Sequence, residues 1–509
     1  VKKASYYLYF LSFLEGASVM VAELIGAKML APYYGSSLYV WATVMAVTLG
    51  GLALGYFCGG IVSYRNKSKM VLPFVLLTAA CFIILMPFSS RLAFALLGMR
   101  ALIPAVIASS IVFLFPPVFM MGMVSPLIIS RLTSDAASAG KAAGAVYAIS
   151  TLGGILATFM TGFWIIPHFG LSRPCLLTGI LLGTAVLPAL LQKNKGLVVF
   201  FIALSSYSFV KAGAKYAIPG VSIAYFSEGL LGQIMVADYP NHDRAGNLIP
   251  GVYRLLFVNR IIQSAADNNA DTARRYTYVD QILKNLRDPL NDNSVLVCGL
   301  GGASLVEGLS DAGLKAEACE LDPRIAYVAR TFFKLNPAIP VYTDDARHFL
   351  RLCKKKYGTV VLDLFKGEEN PGHCFTKEAF LEIKKLLPAS GLLVVNCNGF
   401  YKGEAGAGTR AVYNTLVVAG YRVEVRATAG LEAMSNLIFY ATLPETPLRE
   451  FSGIPVPQSV LQSSSDLVLT DDRPVLDVLN AGVYQAWRKS MIHYFDEEGR
   501  KGRVFPVFN

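Results

Sequence analysis

The chain changes solvent partway along. Apolar runs cover residues 6–33, 38–63, 71–89, 101–130, 142–167, 174–191 and 196–211. A membrane crossing needs about 20 such residues, so about seven spans are predicted. From residue 229 the pattern is instead that of a soluble α/β protein. Two solvents along 509 residues require at least two separately packed parts.

Composition agrees. Charged residues make up 16% and apolar residues 54% of the chain, against about a quarter charged in a soluble domain. The formal charge is +11, with many Lys and Arg in short loops between apolar runs. There they act as orientation signals. No basic run is interleaved with aromatics, so nucleic acid is not an expected partner. Cys58, Cys81 and Cys175 lie in apolar runs, and Cys298, Cys319, Cys353, Cys374 and Cys397 are scattered beyond them. No CxxC occurs and the histidines are dispersed, which argues against a disulfide framework and a metal site. The N-terminal apolar run is too long for a cleavable signal.

Residues 1–212 read as a multi-span α-helical membrane bundle. Gly51, Gly55 and Gly59 share one helix face and should let a neighbouring helix approach closely. Pro116 and Pro117 should kink the fourth run. Glu15 and Glu23 lie inside the first run and should face the bundle, as a proton site in a polar cavity or as structural carboxylates.

Residues 213–228 read as a linker, and 229–287 as a small β subdomain with a connecting helix at about 271–287. Gly232–Asp238 and Tyr253–Val258 alternate as strands do. Residues 288–445 alternate strands at 294–298, 315–320, 339–342, 358–363 and 391–397 with helices. That order predicts a parallel, doubly wound, Rossmann-like sheet of the class I methyltransferase type. A tail covers 446–509, with an amphipathic segment near 475–495 expected to pack on its own domain.

The chemistry gathers at strand ends. Gly299, Gly301 and Gly302 stand between the first main strand and a helix, where glycine permits a tight turn and close ligand approach. Glu320 ends the next strand, where a carboxylate can accept both ribose hydroxyls, with Asp322 just after it. Asp345 and Ala346 follow the third strand, where an acid can receive an adenine amino group. Asp363 ends the fourth, at the sheet edge where such folds do their chemistry. NAD fits this set poorly, because the loop is not GxGxxG; an adenosyl-sulfonium fits better.

From about Glu228 to Arg473 the chain resembles the spermidine synthase (aminopropyltransferase) family, and its membrane-anchored branch most of all. Leu38-Tyr-Val-Trp41 is similar to that branch's membrane half. Asp363-Leu-Phe365, Pro371, Phe375-Thr-Lys-Glu378 and Phe380 resemble the catalytic loop, and Thr470-Asp-Asp-Arg-Pro474 the C-terminal signature. The resemblance implies decarboxylated S-adenosylmethionine as co-substrate, methylthioadenosine as product, and no tightly bound cofactor. It implies that Gln233 contacts the nucleoside, Glu320 the ribose, and Asp345 with Ala346 the adenine. Asp363 would be the catalytic acid/base that orients and deprotonates an amine.

The chain also departs from the family. Gly302 stands where an Asp holds the aminopropyl ammonium, Lys366 replaces a second loop acid, and Tyr278-Val-Asp280 replaces Tyr-His-Glu. Tyr278, Asp280, Lys366, Glu368 and Glu369 are the candidate acceptor-binding residues, the two glutamates as replacements for the missing acids. The expectation is a membrane-bound transferase acting on a sulfonium derived from S-adenosylmethionine. Two alternatives stand: a methyltransferase or sulfonium-cleaving enzyme using intact S-adenosylmethionine, and a transporter or sensor regulated by nucleoside. The expected partners are the bilayer, the sulfonium nucleoside and an amine or other acceptor; a homodimer is left open.

Orientation divides the signals. With seven spans, Lys2, Lys3, Arg65, Lys67, Lys69, Arg131, Lys141, Lys193 and Lys195 share one side. Arg91, Arg100, Arg173, Lys211 and Lys215 share the other, as does the α/β part. The richer side should be cytoplasmic. With seven spans that puts the α/β part outside, whereas free cysteines and a nucleoside site argue that it is cytoplasmic, and the chemistry carries more weight because the charge bias is modest. The expected location is the inner membrane, multi-pass, with the catalytic domain in the cytoplasm.

Overall fold

The computed structural model describes residues 2–35, 38–66, 68–97, 102–133, 136–212, 218–242, 247–267, 277–286, 292–430, 434–446, 449–462 and 467–508. The orientation residues Lys67, Arg100 and Lys215 lie outside this set, as do linker residues 213–217 and residues 271–276 and 287 of the expected connecting helix. The chain forms two compact units. One comprises Val1–Ile218, Phe226–Gln233 and Phe495–Asn509; the other comprises Pro219–Tyr225 and Ile234–Tyr494.

The first unit is helical. Among the described residues, five helices are long and apolar enough to cross a membrane: Ser5–Tyr34, Leu38–Arg65, Val71–Leu97, Phe115–Leu132 and Ser138–Phe169. Proline divides two of the predicted apolar runs. Pro116 and Pro117 begin a new helix at Phe115, leaving Ile103–Phe113 as a short apolar piece. The run at 174–191 divides into Ser172–Thr184 and Leu187–Leu191, with Pro188 in the first turn of the second.

The glycine stripe does what its spacing predicts. Val40, Val44, Thr48, Gly51, Gly55 and Gly59 form the buried face of Leu38–Arg65. A Cβ on Gly55 would lie 2.4 Å from the Phe119 carbonyl oxygen, and one on Gly59 2.7 Å from the Met123 Cα. The opposite face exposes Leu49, Leu54 and Phe57. Glu15 is buried and its carboxyl accepts a hydrogen bond from Ser150 Oγ at 2.9 Å. Glu23 is half-buried.

Residues 226–233 also belong to this unit. The buried Glu228 accepts from the Leu171 N–H at 2.7 Å, and Lys28 Nζ donates to the Leu230 carbonyl at 2.5 Å. Phe508 packs edge-on against Phe94.

Two sheets follow. Ser222–Gly229 (β1), Gly232–His242 (β2), Leu248–Val258 (β3) and Ile261–Asp267 (β4) form a meander in the order β1-β2-β3-β4. The larger sheet contains Ser294–Cys298 (β5), Lys315–Glu320 (β6), Val341–Thr343 (β7), Thr359–Leu362 (β8) and Leu392–Gly399 (β9). Arg422–Ala427 (β10), Ser435–Thr442 (β11) and Ile454–Pro455 (β12) complete it. Its order is β12-β10-β11-β9-β8-β5-β6-β7.

β5 through β9 pair in parallel, whereas β11 returns antiparallel to β9 and carries β10 antiparallel in turn. The expected parallel sheet is therefore mixed, because β10 and β11 form a hairpin that must enter as an antiparallel pair. The chain order reverses between β5 and β8, which opens a crevice at their carboxyl ends. β5 and β8 are buried at every residue, as a strand covered on both faces must be.

The glycine contacts make a direct test. Gly55→Ala should cost roughly 1–3 kcal/mol through overpacking against Phe119. Gly60→Ala, where nothing lies within 4 Å, should be neutral or slightly stabilising. Thermal melting of the purified protein in detergent checks both; equal melting of the two variants would contradict the packing described.

Candidate active site

The loop after β5 works through backbone geometry. Gly299 has φ +96° and Gly301 φ +51°, a region that side chains disfavour. At Gly299 space forbids a side chain as well: a Cβ would lie 2.1 Å from the Asp363 carbonyl oxygen. The glycine turn thus rests directly on the backbone that carries Asp363. The Asp363 N–H donates to the Cys298 carbonyl at 2.9 Å and fixes the same juxtaposition from the strand side.

The side chain of Asp363 is held by neutral donors. Asn396 Nδ2 donates to Oδ1 at 2.8 Å, and the Tyr278 hydroxyl donates to Oδ2 at 3.1 Å. Asn396 is itself oriented by Asn436, whose Nδ2 donates to its Oδ1 at 3.1 Å. Burial pushes the Asp363 carboxyl above its ordinary pKa, and the two hydrogen bonds only partly oppose this.

Glu320 ends β6 with both oxygens engaged by backbone. The Leu300 N–H donates to Oε2 at 3.0 Å and the Asp322 N–H to Oε1 at 2.9 Å. This ties the acid to the glycine turn. Burial pushes its pKa up to about 7 despite those bonds. Asp322 is turned to another use: it caps the helix Pro323–Phe332 at the Arg324 N–H and pairs with the Arg324 guanidinium at 2.7 Å.

Asp345 caps Ala346–Leu352, accepting from the Arg347 and His348 N–H groups at 3.0 and 3.1 Å. His373 Nε2 lies 3.1 Å from its Oδ2. Burial works to raise this carboxyl, but the bonds from His348, His373 and Arg347 hold it below the ordinary range. The neighbouring Arg347 explains the C-terminal signature. Its guanidinium binds Asp471 at 2.5 and 2.8 Å, Glu382 at 3.0 Å and the His373 carbonyl at 2.7 Å. The Thr470–Pro474 segment is thereby fastened to the helix that follows Asp345.

The structure gathers Gly299, Gly301, Gly302, Glu320 and Asp363 around the ends of β5, β6 and β8, with Tyr278 on Asp363. Ala346 is buried at the start of the Asp345-capped helix. Gln233 falls in the other unit, where its amide donates to the Val507 carbonyl at 2.6 Å. Asp280 is exposed on the helix Thr277–Leu286. Lys366 and Glu369 form a tight backbone bridge, with the Lys366 N–H donating at 2.8 Å. Glu368 is buried and engaged by Arg488, whose Nε donates to Oε1 at 2.9 Å.

Sequence reading missed Ser264, Asn396, Asn436 and His373. Ser264 Oγ accepts from the Gly302 N–H at 2.7 Å, and a Cβ on Gly302 would lie 2.7 Å from the Ser264 Cβ. The position that lacks an acid is therefore filled by a serine from β4. Asn396 carried a usable signal, as a polar residue amid aliphatics in a strand buried throughout.

No family model matches the chain. A polyamine aminopropyltransferase of Vibrio vulnificus (strain CMCP6) is 34% identical over 128 residues, 24% of this chain and 43% of that protein. A probable polyamine aminopropyl transferase of Bifidobacterium longum (strain NCC 2705) is 27% identical over 128 residues, 25% of this chain and 28% of that protein. The chain thus spans less than half the length of these curated relatives. A probable spermidine synthase structure from Corynebacterium glutamicum ATCC 13032 superposes with a TM-score of 0.40 at 17% identity, covering 51% of this chain and 97% of that one. Over those 128 residues the chain is similar to polyamine aminopropyltransferases.

Proposed function

We propose that this chain is a membrane-bound transferase that moves an alkyl group from an adenosyl-sulfonium to a nucleophile. The observation that carries the reading is the contact between the glycine turn and Asp363. It sets the glycine turn beside a buried carboxylate that only neutral donors hold, which supports a nucleoside bound at that turn.

In this reading Glu320 receives the ribose hydroxyls on its remaining lone pairs, and Asp345 with Ala346 borders the adenine. The aminopropyl carbon next to sulfur points toward Asp363. An amine lone pair attacks that carbon, and the carbon–sulfur bond breaks with its electron pair on sulfur. Methylthioadenosine leaves as a neutral thioether, and the proton lost by the amine passes to Asp363. A sulfonium is already a good leaving group, so the protein contributes position and charge placement. The raised pKa of Asp363 suits a group that must accept that proton. Five long apolar helices among the described residues support attachment to a bilayer.

One observation favours a second reading, use of intact S-adenosylmethionine. Ser264 occupies the space where the family holds an ammonium with an acid. A neutral hydroxyl does not repel the carboxylate of the undecarboxylated compound. Product mass analysis with each donor separates the two readings.

Two outcomes are expected. Asp363→Asn should lower turnover by about two to four orders of magnitude while methylthioadenosine affinity changes little; near-normal turnover in a folded variant would make Asp363 structural.

Glu320 should impose a pH dependence. Its raised carboxyl favours the ligand-free fold at low pH, and that stability is lost as pH rises through about 7. Bound ribose hydroxyls favour the ionised form, which reverses the sign for binding. Methylthioadenosine should therefore bind about tenfold more weakly at pH 6 than at pH 8, with proton release on binding at pH 6. Glu320→Ala should lose about 1.5–3 kcal/mol of affinity at pH 8 and flatten the profile. Calorimetry in buffers of different ionisation enthalpy reads both effects; a flat wild-type profile would remove Glu320 from the site.

A further inference from the structure

One helix holds the catalytic loop from outside the sheet. Along Ala481–Arg500, Tyr484, Trp487 and Arg488 fall on one face. The Tyr484 hydroxyl accepts from the Asn370 N–H at 3.1 Å, and the Trp487 ring stands edge-on to Phe365 at 5.9 Å. Arg488 forms a two-pronged pair with Glu368, and the two side chains are only 5% and 3% exposed. Its remaining nitrogen, Nη1, donates to the Asn259 carbonyl. From the other side Gln263 Nε2 donates to the Gly367 carbonyl at 2.8 Å. Asn370 Nδ2 closes the loop on the Leu364 carbonyl, also at 2.8 Å.

The consequence is electrostatic. A diamine acceptor brings two ammonium groups. One is deprotonated and attacks; the other must be met by a buried acid, because an unpaired buried cation is costly. Of the two glutamates on the loop behind Asp363, Glu368 is the buried one. Its charge is already matched by a guanidinium of planar, bidentate geometry. Lys366 adds a cation to the same loop, and Asp280 lies in solvent.

We propose that Arg488 is a specificity-determining residue: its guanidinium takes the charge position that the far ammonium of a diamine would fill. The acceptor is then a nucleophile with one amine and a neutral or anionic remainder. This inference rests on the transferase reading above.

The test compares putrescine with n-butylamine, which keeps the chain length and loses one amine. The purified full chain is assayed with decarboxylated S-adenosylmethionine, and products are identified by mass. Wild type should use butylamine at least as well as putrescine. Arg488→Ala should shift the ratio toward putrescine by tenfold or more, and adding Glu368→Gln should reverse that shift. A wild-type preference for putrescine overturns the proposal, and so does an unchanged ratio in folded Arg488→Ala. If Arg488→Ala does not fold, the wild-type ratio decides alone. Methylthioadenosine titration separates the two levels. Binding without turnover of either amine overturns the role of Arg488, whereas absence of binding overturns the transferase reading and this inference with it.

Discussion

A carboxylate buried without a cation is the constraint on which the rest of the α/β unit depends. Asp363 keeps its place through Asn396, Tyr278 and the backbone of Cys298. Each of these comes from a different element, so the acid is correct only when the sheet, the helix Thr277–Leu286 and the glycine turn are all assembled. The missing side chain at Gly299 allows the turn to lie on the Asp363 carbonyl. A guanidinium in place of those neutral donors would hold Asp363 ionised and lower its value as a proton acceptor.

The acids around this centre are not equivalent, and their partners explain why. Glu320 and Asp363 receive only neutral donors, and burial raises both. Asp345 is capped by backbone and met by His373, and stays low. Asp322 and Glu368 are bound to Arg324 and Arg488. Environment thus sorts a row of carboxylates into two that burial raises, one held low by its hydrogen bonds and two paired with guanidinium groups. The C-terminal segments contribute at both ends of the row, through Asp471 on Arg347 and Arg488 on Glu368.

Much of this was legible in the sequence, for physical reasons. Strand period and turn glycines marked β5, β6 and β8, and the acids at their ends follow from where such sheets open. The glycine stripe at 51, 55 and 59 announced close helix packing because three missing side chains on one face have few other uses. Long-range partners were not legible. Nothing near Glu368 points to Arg488, 120 residues on, and nothing near Gly302 points to Ser264. Hydropathy does not register the helix breaks at Pro116 and Pro188. Asn396 could have been found, since an amide inside an aliphatic strand needs a partner.

The most direct measurement is a calorimetric titration of the purified full chain with methylthioadenosine, decarboxylated S-adenosylmethionine and S-adenosylmethionine. The account predicts one saturable site per chain for the adenosyl-sulfur ligands. It also predicts that adenosine alone binds more weakly and that an unrelated nucleotide does not compete. A folded protein that shows no heat and no thermal stabilisation with any of the three would contradict the assignment of the glycine turn, Glu320 and Asp345 to a nucleoside.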